Sequence, residues 1–256
     1  MQLKESKTNY ILFTRAKEEF ATRLTVNNKL IERQEYVQLL GVWLQPDGGW
    51  GKQVRELCKK AYQRMSLLTK LRYAGVSRHE LVHNYKQFIR TALEYCSVAM
   101  HSSLTEAQSS SLEHCQSVAL KVILQEDYLS YESALLSTGL EKLSLRRAAR
   151  CLAFSLKCIN HEDNKSFFPR NPNIGNSTQV REREEFVVNF ARTKRYQQSA
   201  IPYCQRLLND HFREKLAAGG PAGAGVGAGA GSRAGAGARA GAGAGAEAGE
   251  GAGAGG

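Results

Sequence analysis

Apolar positions change their spacing near residue 50, and that change divides the chain. Before it they fall in short runs of the kind strands use. Tyr10 to Thr14 is brief, apolar and rich in β-formers. Arg23 to Val26 and Lys29 to Glu32 flank Asn27-Asn28, a pair able to take the positive φ angles of a tight hairpin turn. Tyr36 to Leu44 reads as a further run, closed by the turn Pro46-Asp47-Gly48-Gly49. Such short strands with no helix of their own cannot hide both faces. They need the helices that follow, or an upstream partner, to cover an edge.

From Trp50 the apolar steps lengthen to three and four. Val54, Leu57, Ala61, Met65, Leu68 and Leu71 stripe a first helix that ends at Gly75. Ser77 and Glu80 form a capping box for a second, with Leu81, Tyr85, Phe88, Ala92 and Cys96 on one face. A third opens at Thr105 and turns Leu112, Cys115, Ala119 and Val122 inward. A short helix from Tyr131 to Thr138 stops at Gly139. The next, capped by Ser144, is expected to bury Leu145, Ala149, Leu152, Leu156 and Ile159, and its second half is apolar nearly all round. A polar loop, residues 161–179, holds Pro169 and Pro172; Glu184 to Gln198 reads as helical, and a last short helix runs through Leu207-Leu208.

Composition adds two things. Ala217 to Gly256 is almost wholly Gly and Ala and holds most of the 24 glycines, so it lacks the bulk for a packed core and is expected to be disordered. Its Arg233, Arg239, Glu247 and Glu250 cancel, which leaves the net charge of +11 on the body. A basic body points to nucleic acid or an anionic surface as partner and says nothing about fold. The six cysteines are widely spaced, with no CxxC pair, so they read as buried thiols in an intracellular, reducing compartment. Cys151 and Cys158 share a helix face. No stretch approaches the length of a membrane span, and the sequon Asn176-Ser177-Thr178 carries no weight in that setting.

Three basic clusters are the candidates for phosphate contact. The first helix carries Lys52, Arg55, Lys59, Lys60, Arg64, Lys70 and Arg72 against the single acid Glu56, a strip that could displace condensed counterions. Arg146-Arg147, with Arg150, opens the later apolar helix. Arg192, Lys194 and Arg195 interleave with Phe190 and Tyr196, as cations and rings do in single-strand binders. The plain alternative for each is a solvated helix face or a helix end. Catalysis finds no footing. Two-metal chemistry needs carboxylates close enough to clamp ions, yet the apolar strands hold no Asp. Asp47, Asp127, Asp163 and Asp210 are scattered, and no GxSxG, HExxH or P-loop occurs. No catalytic residue and no metal ligand is assigned.

A series of weak motifs, in order along the body, resembles the reverse transcriptase of non-LTR retrotransposons beyond its catalytic aspartates. It runs through Ser6-Lys7-Thr8, Leu40-Gly41-Val42, the helix after Trp50, Leu93-Glu94-Tyr95-Cys96-Ser97, Gly139-Leu140 with Leu143 to Arg147, and Ile201-Pro202 before Leu207-Leu208-Asn209. The resemblance implies an α+β chain. Residues 1–48 would be a small antiparallel palm remnant, residues 49–160 a mainly helical thumb-like bundle, residues 161–216 a polar loop with terminal helices, and residues 217–256 a disordered tail. It implies that Lys7 lies near nucleotide phosphates and that Leu40-Gly41 is the primer-grip turn, where a missing Cβ lets backbone approach a strand. The helices would hold an RNA–DNA or DNA duplex through its backbone, without reading sequence. The family's aspartate-bearing strand should shortly precede Lys7, and only six residues do. The expectation is therefore a reverse transcriptase remnant with no polymerase activity of its own. It would bind template–primer at most and have no small-molecule substrate, with Mg²⁺ belonging to the intact family enzyme. The alternative is a non-catalytic helical interaction or structural protein with no nucleic-acid role.

Overall fold

Asn27-Asn28 turns the chain as its chemistry predicts. The computed structural model describes residues 8–14, 23–172 and 184–218. In it β1 (Leu24–Val26) pairs antiparallel with β2 (Lys29–Ile31), Leu24 opposite Ile31. The two asparagines hold φ of 51° and 62°, a left-handed conformation that Asn tolerates. Tyr36 to Leu44 is not one strand. It folds back on itself as a second hairpin, β3 (Val37–Leu39) against β4 (Val42–Leu44), with Leu40 and Gly41 at φ of 48° and 81°. Tyr10 to Thr14 forms no strand either; Tyr10 makes a single parallel bridge to Arg33. Among the described residues the β structure is thus two separate two-stranded antiparallel sheets.

Three hydrogen bonds moor the second hairpin to the helices. The Trp43 amide donates to Gln53 Oε1 at 2.9 Å, the Lys52 amide to Gln45 Oε1 at 2.6 Å, and the Tyr95 hydroxyl to the Leu40 carbonyl at 2.6 Å. A Cβ at Gly41 would stand 3.1 Å from that hydroxyl and press on it, and the φ of 81° is itself one that favours glycine.

The helical part begins with α1 (Gly51–Tyr73), which buries the predicted stripe Val54, Leu57, Ala61, Met65 and Leu68. The capping box of Ser77 and Glu80 starts α2 (Arg78–Asn84). A π-helical turn, Tyr85–Arg90, then leads into α3 (Thr91–Leu93). Its i→i+5 bonding rotates the face, so Ile89 and Leu93 are buried while Phe88 is exposed. The helix ends before Cys96, which takes a left-handed φ of 57° ahead of α4 (Ser97–Met100) and a 3₁₀ turn, His101–Ser103. Thr105 and Gln108 box the start of α5 (Glu106–Leu124); Ser130 caps α6 (Tyr131–Thr138), and Gly139 ends it at φ 63°.

α7 (Leu143–Ile159) departs from expectation twice. Ser144 does not cap it. Glu113 of α5 does, accepting the Leu143 amide at 3.1 Å and the Ser144 amide at 2.6 Å, where a carboxylate answers the partial positive charge of a helix start. The inward stripe is Leu143, Arg147, Cys151, Ser155 and Cys158; Leu145 and Ala149 face solvent, and Leu152, Leu156 and Ile159 are half-buried beside the stripe. The stripe includes two polar residues, so hydrophobicity places its phase wrongly at the start.

Glu184 to Gln198 is mostly irregular, with one antiparallel bridge between Phe186 and Arg170. Only α8 (Lys194–Gln197) is helical, ahead of α9 (Ala200–Ala218), which is longer than its sequence suggests. Side-chain amides from α9 take up its backbone. Asn209 accepts the Phe186 amide at 2.8 Å and donates to the Phe186 carbonyl at 2.9 Å, and Gln205 accepts the Asn189 amide at 2.8 Å. These bonds satisfy the segment as a neighbouring strand would.

Two apolar cores result. The larger joins α1, the α2–α3 helix, α5 and α6 with Leu140 and Leu143. The smaller gathers Cys151, Cys158, Phe168, Phe186, Cys204 and Leu208. α7 contributes to both. The fold is α+β. All described residues belong to one unit, Met1–Ala218; Ala217 and Ala218, expected in the disordered tail, end α9, while the rest of the tail from residue 219, Lys7 and the sequon lie outside the described residues. The six cysteines are free thiols, four of them buried.

Candidate nucleic-acid interface

Among the cations of α1, burial and pairing separate those that are committed from those that are not. Lys52 pairs with Glu56 at 3.1 Å and sits 5.1 Å from the centre of the Trp43 ring and 5.7 Å from that of Tyr36, which ties it to the second hairpin. Arg64 donates to the Phe88 carbonyl, and Arg72 to Gln125 Oε1 at 2.9 Å. Arg55, Lys59 and Lys60 are exposed and join none of the ion pairs among the described residues. They stand at i, i+4 and i+5, so Arg55 and Lys59 share a face. That face borders a groove of about 650 Å³ between α1 and α5, lined also by Cys58, Tyr62, Ser110 and His114. The sequence reading missed those four; Tyr62, three residues beyond Lys59, was the available signal.

The hairpin tip is the second locality. Leu40 is 86% exposed, and Gly41 is covered by Tyr95. Tyr95 follows Leu93 and Glu94, so two segments far apart in sequence meet through one hydroxyl.

The second basic cluster is mostly engaged with groups of its own chain. Glu94, 2% exposed, accepts Arg146 Nε at 2.6 Å, and Arg150 Nη2 lies 3.3 Å from its other oxygen. Glu141 lies 3.5 Å from Arg146. Arg147 is a correction to the sequence reading: it is buried, not on a surface. Its Nη2 donates to Ser109 Oγ at 2.8 Å, while Nε and Nη1 meet no partner among the described residues. Burial pushes its pKa down.

Arg147 also acts on His101, whose ring lies edge-on to Tyr203 at 5.6 Å. Burial first, and the Arg147 charge second, push the imidazole down to about 4 from 6.5. With the folded pKa below the unfolded one, the unfolded chain binds the proton better. Stability is complete above about 6.5 and declines as pH falls from there towards 4. Urea unfolding followed across that window should show this acid loss, and His101→Gln should flatten it.

The third cluster is partly committed. Arg195 donates to the Asp47 carbonyl and lies 4.0 Å from its carboxylate; the backbone amide of Gly49 is the main influence holding the Asp47 carboxyl below its ordinary range. Lys194 and Arg195 line a cleft of about 510 Å³ with the Asp47–Gly49 turn, while Arg192 is exposed outside it. The acids do not suit a two-metal site. Asp47, Asp127, Asp163 and Asp210 each face a different basic side chain, from Arg195, Arg78, His161 and Arg213. No group of three metal-ligating side chains gathers among the described residues.

Compared with protein families, curated proteins and solved structures, the chain shows no match. None of the helices among the described residues is long and apolar enough to cross a membrane.

Proposed function

We propose that this chain is similar to the part of a reverse transcriptase that follows the catalytic aspartates, and that it holds a template–primer duplex by its backbone. The observation that carries the reading is the exposed trio Arg55, Lys59 and Lys60 along one long helix, none of them in an ion pair among the described residues. Cations of this kind gain affinity by releasing counterions, without regard to base sequence. The contact of Tyr95 with the Leu40-Gly41 turn adds support, because it joins two segments of the family resemblance. Lys52, Arg146 and Arg147 contribute through the fold rather than by touching phosphate.

The competing reading, a helical interaction protein without a nucleic-acid role, draws on the same pairing pattern. Arg146, Arg150 and Arg195 answer acids or carbonyls of their own chain. A labelled RNA–DNA hairpin titrated at several salt concentrations separates the two. Binding should weaken steadily with salt, and Arg55→Gln/Lys59→Gln/Lys60→Gln should lower the log–log slope by about one per lost phosphate contact. No primer extension is expected with nucleotides and magnesium. Affinity absent at low salt, or indifferent to salt, refutes the proposal.

A further inference from the structure

The groove between α1 and α5 has a chemistry that duplex holding does not use. On one wall Arg55, Lys59 and Tyr62 follow at i, i+4 and i+7; on the other Ser110 and His114 stand one turn apart. Cys58 lies between them, half-buried. The volume of about 650 Å³ falls within the roughly 300–1,000 Å³ of small-ligand sites. No acid lines it, and the one carboxylate of α1, Glu56, is paired with Lys52. Tyr62 is 44% exposed, a large ring offered to the groove.

We propose that this groove takes one unpaired nucleotide of a single strand, with its base against Tyr62 and its phosphate between Arg55 and Lys59. Three features select that occupant. Arg55 and Lys59, in no ion pair among the described residues, offer a phosphate two positive charges one helical turn apart. A tyrosine ring stacks on any base because every base has a π-face. Ser110 and His114 add a hydroxyl and an imidazole, groups suited to the polar edge of a base. A continuous duplex keeps its bases stacked on each other and cannot offer one to the ring, whereas a strand end or an overhang can. The inference rests on the reading that α1 binds nucleic acid, and it adds that the groove discriminates unpaired from paired strand.

The test uses the full chain, a labelled oligothymidylate and a labelled blunt duplex of equal length, both followed by anisotropy at one low salt concentration. Tyr62→Ala is expected to weaken the single strand about tenfold and leave the duplex unchanged, while Tyr62→Phe retains both affinities. Because Tyr62 also reaches the buried Cys115, His114→Ala at the exposed rim serves as a second variant, with thermal melting as a check on folding. It is expected to weaken the single strand selectively as well. Equal losses for both probes, or none for either, overturn the groove proposal while salt-sensitive duplex binding still stands. Equal binding of polyglutamate, unaffected by Tyr62→Ala, makes the groove a general polyanion surface and also overturns it. If neither nucleic acid binds, the underlying reading falls first.

Discussion

Glu94→Ala is expected to lower the free energy of unfolding by about 3 kcal/mol, the lower end of what losing one partner of a buried ion pair costs. The carboxylate sits at the end of α3 with 2% exposure and faces cations on α7. Removing it leaves Arg146 and Arg150 without their shared counter-charge, close to Arg90 and the already unmatched Arg147. The Arg150 Nη1 bond to the Glu94 carbonyl, at 3.4 Å, survives the substitution and limits the damage. Both arginines reach solvent in part, which keeps the figure at the lower end. Glu94→Gln retains acceptor geometry without charge and should fall between. Urea unfolding measures the difference; a loss below about 1 kcal/mol would mean that the pair is no stronger than an exposed one.

One position along α7, the sign reverses. Arg147→Met is expected to stabilise the fold by about 1–4 kcal/mol, as apolar replacement of a poorly satisfied buried charge does. The nearby carboxylates are engaged elsewhere. Glu113 holds the Tyr131 hydroxyl at 2.6 Å and the first amides of α7, and Glu94 holds Arg146 and Arg150. Among the described residues Ser109 alone bonds Arg147, and methionine fills a similar space at the loss of that one bond. A melting temperature lowered by the substitution would show that the guanidinium is satisfied in a way its neighbours do not reveal.

These two adjacent arginines show where sequence reading stops. Arg146 and Arg147 look alike in the chain, and only an acid 52 residues earlier makes one a matched surface cation while the other is enclosed. Local chemistry was legible. Ser77 with Glu80, Thr105, Gly139 and Asn27-Asn28 announce caps and turns through bonds that span three residues or a φ preference. Features that depend on distant partners were not. Leu40 takes a left-handed φ that leucine disfavours, held by a hydroxyl 55 residues away, so Tyr36 to Leu44 reads as a strand and folds as a hairpin. The backbone at Phe186 stays out of a helix because it bridges antiparallel to Arg170 and because Asn209 takes both hydrogen bonds of Phe186 itself. The free cations Arg55 and Lys59 were visible as a strip, but the groove beside them needed the register of α5.

That one rod belongs to both apolar interiors has a thermodynamic corollary. Loosening either interior detaches a flank of α7 and weakens its hold on the other, so heating meets a single cooperative block rather than two that melt in turn. Residue 160, where composition suggests a seam, is no natural place to cut: Phe168, Phe186 and Leu208 on one side share their packing with Cys151 and Val98 on the other.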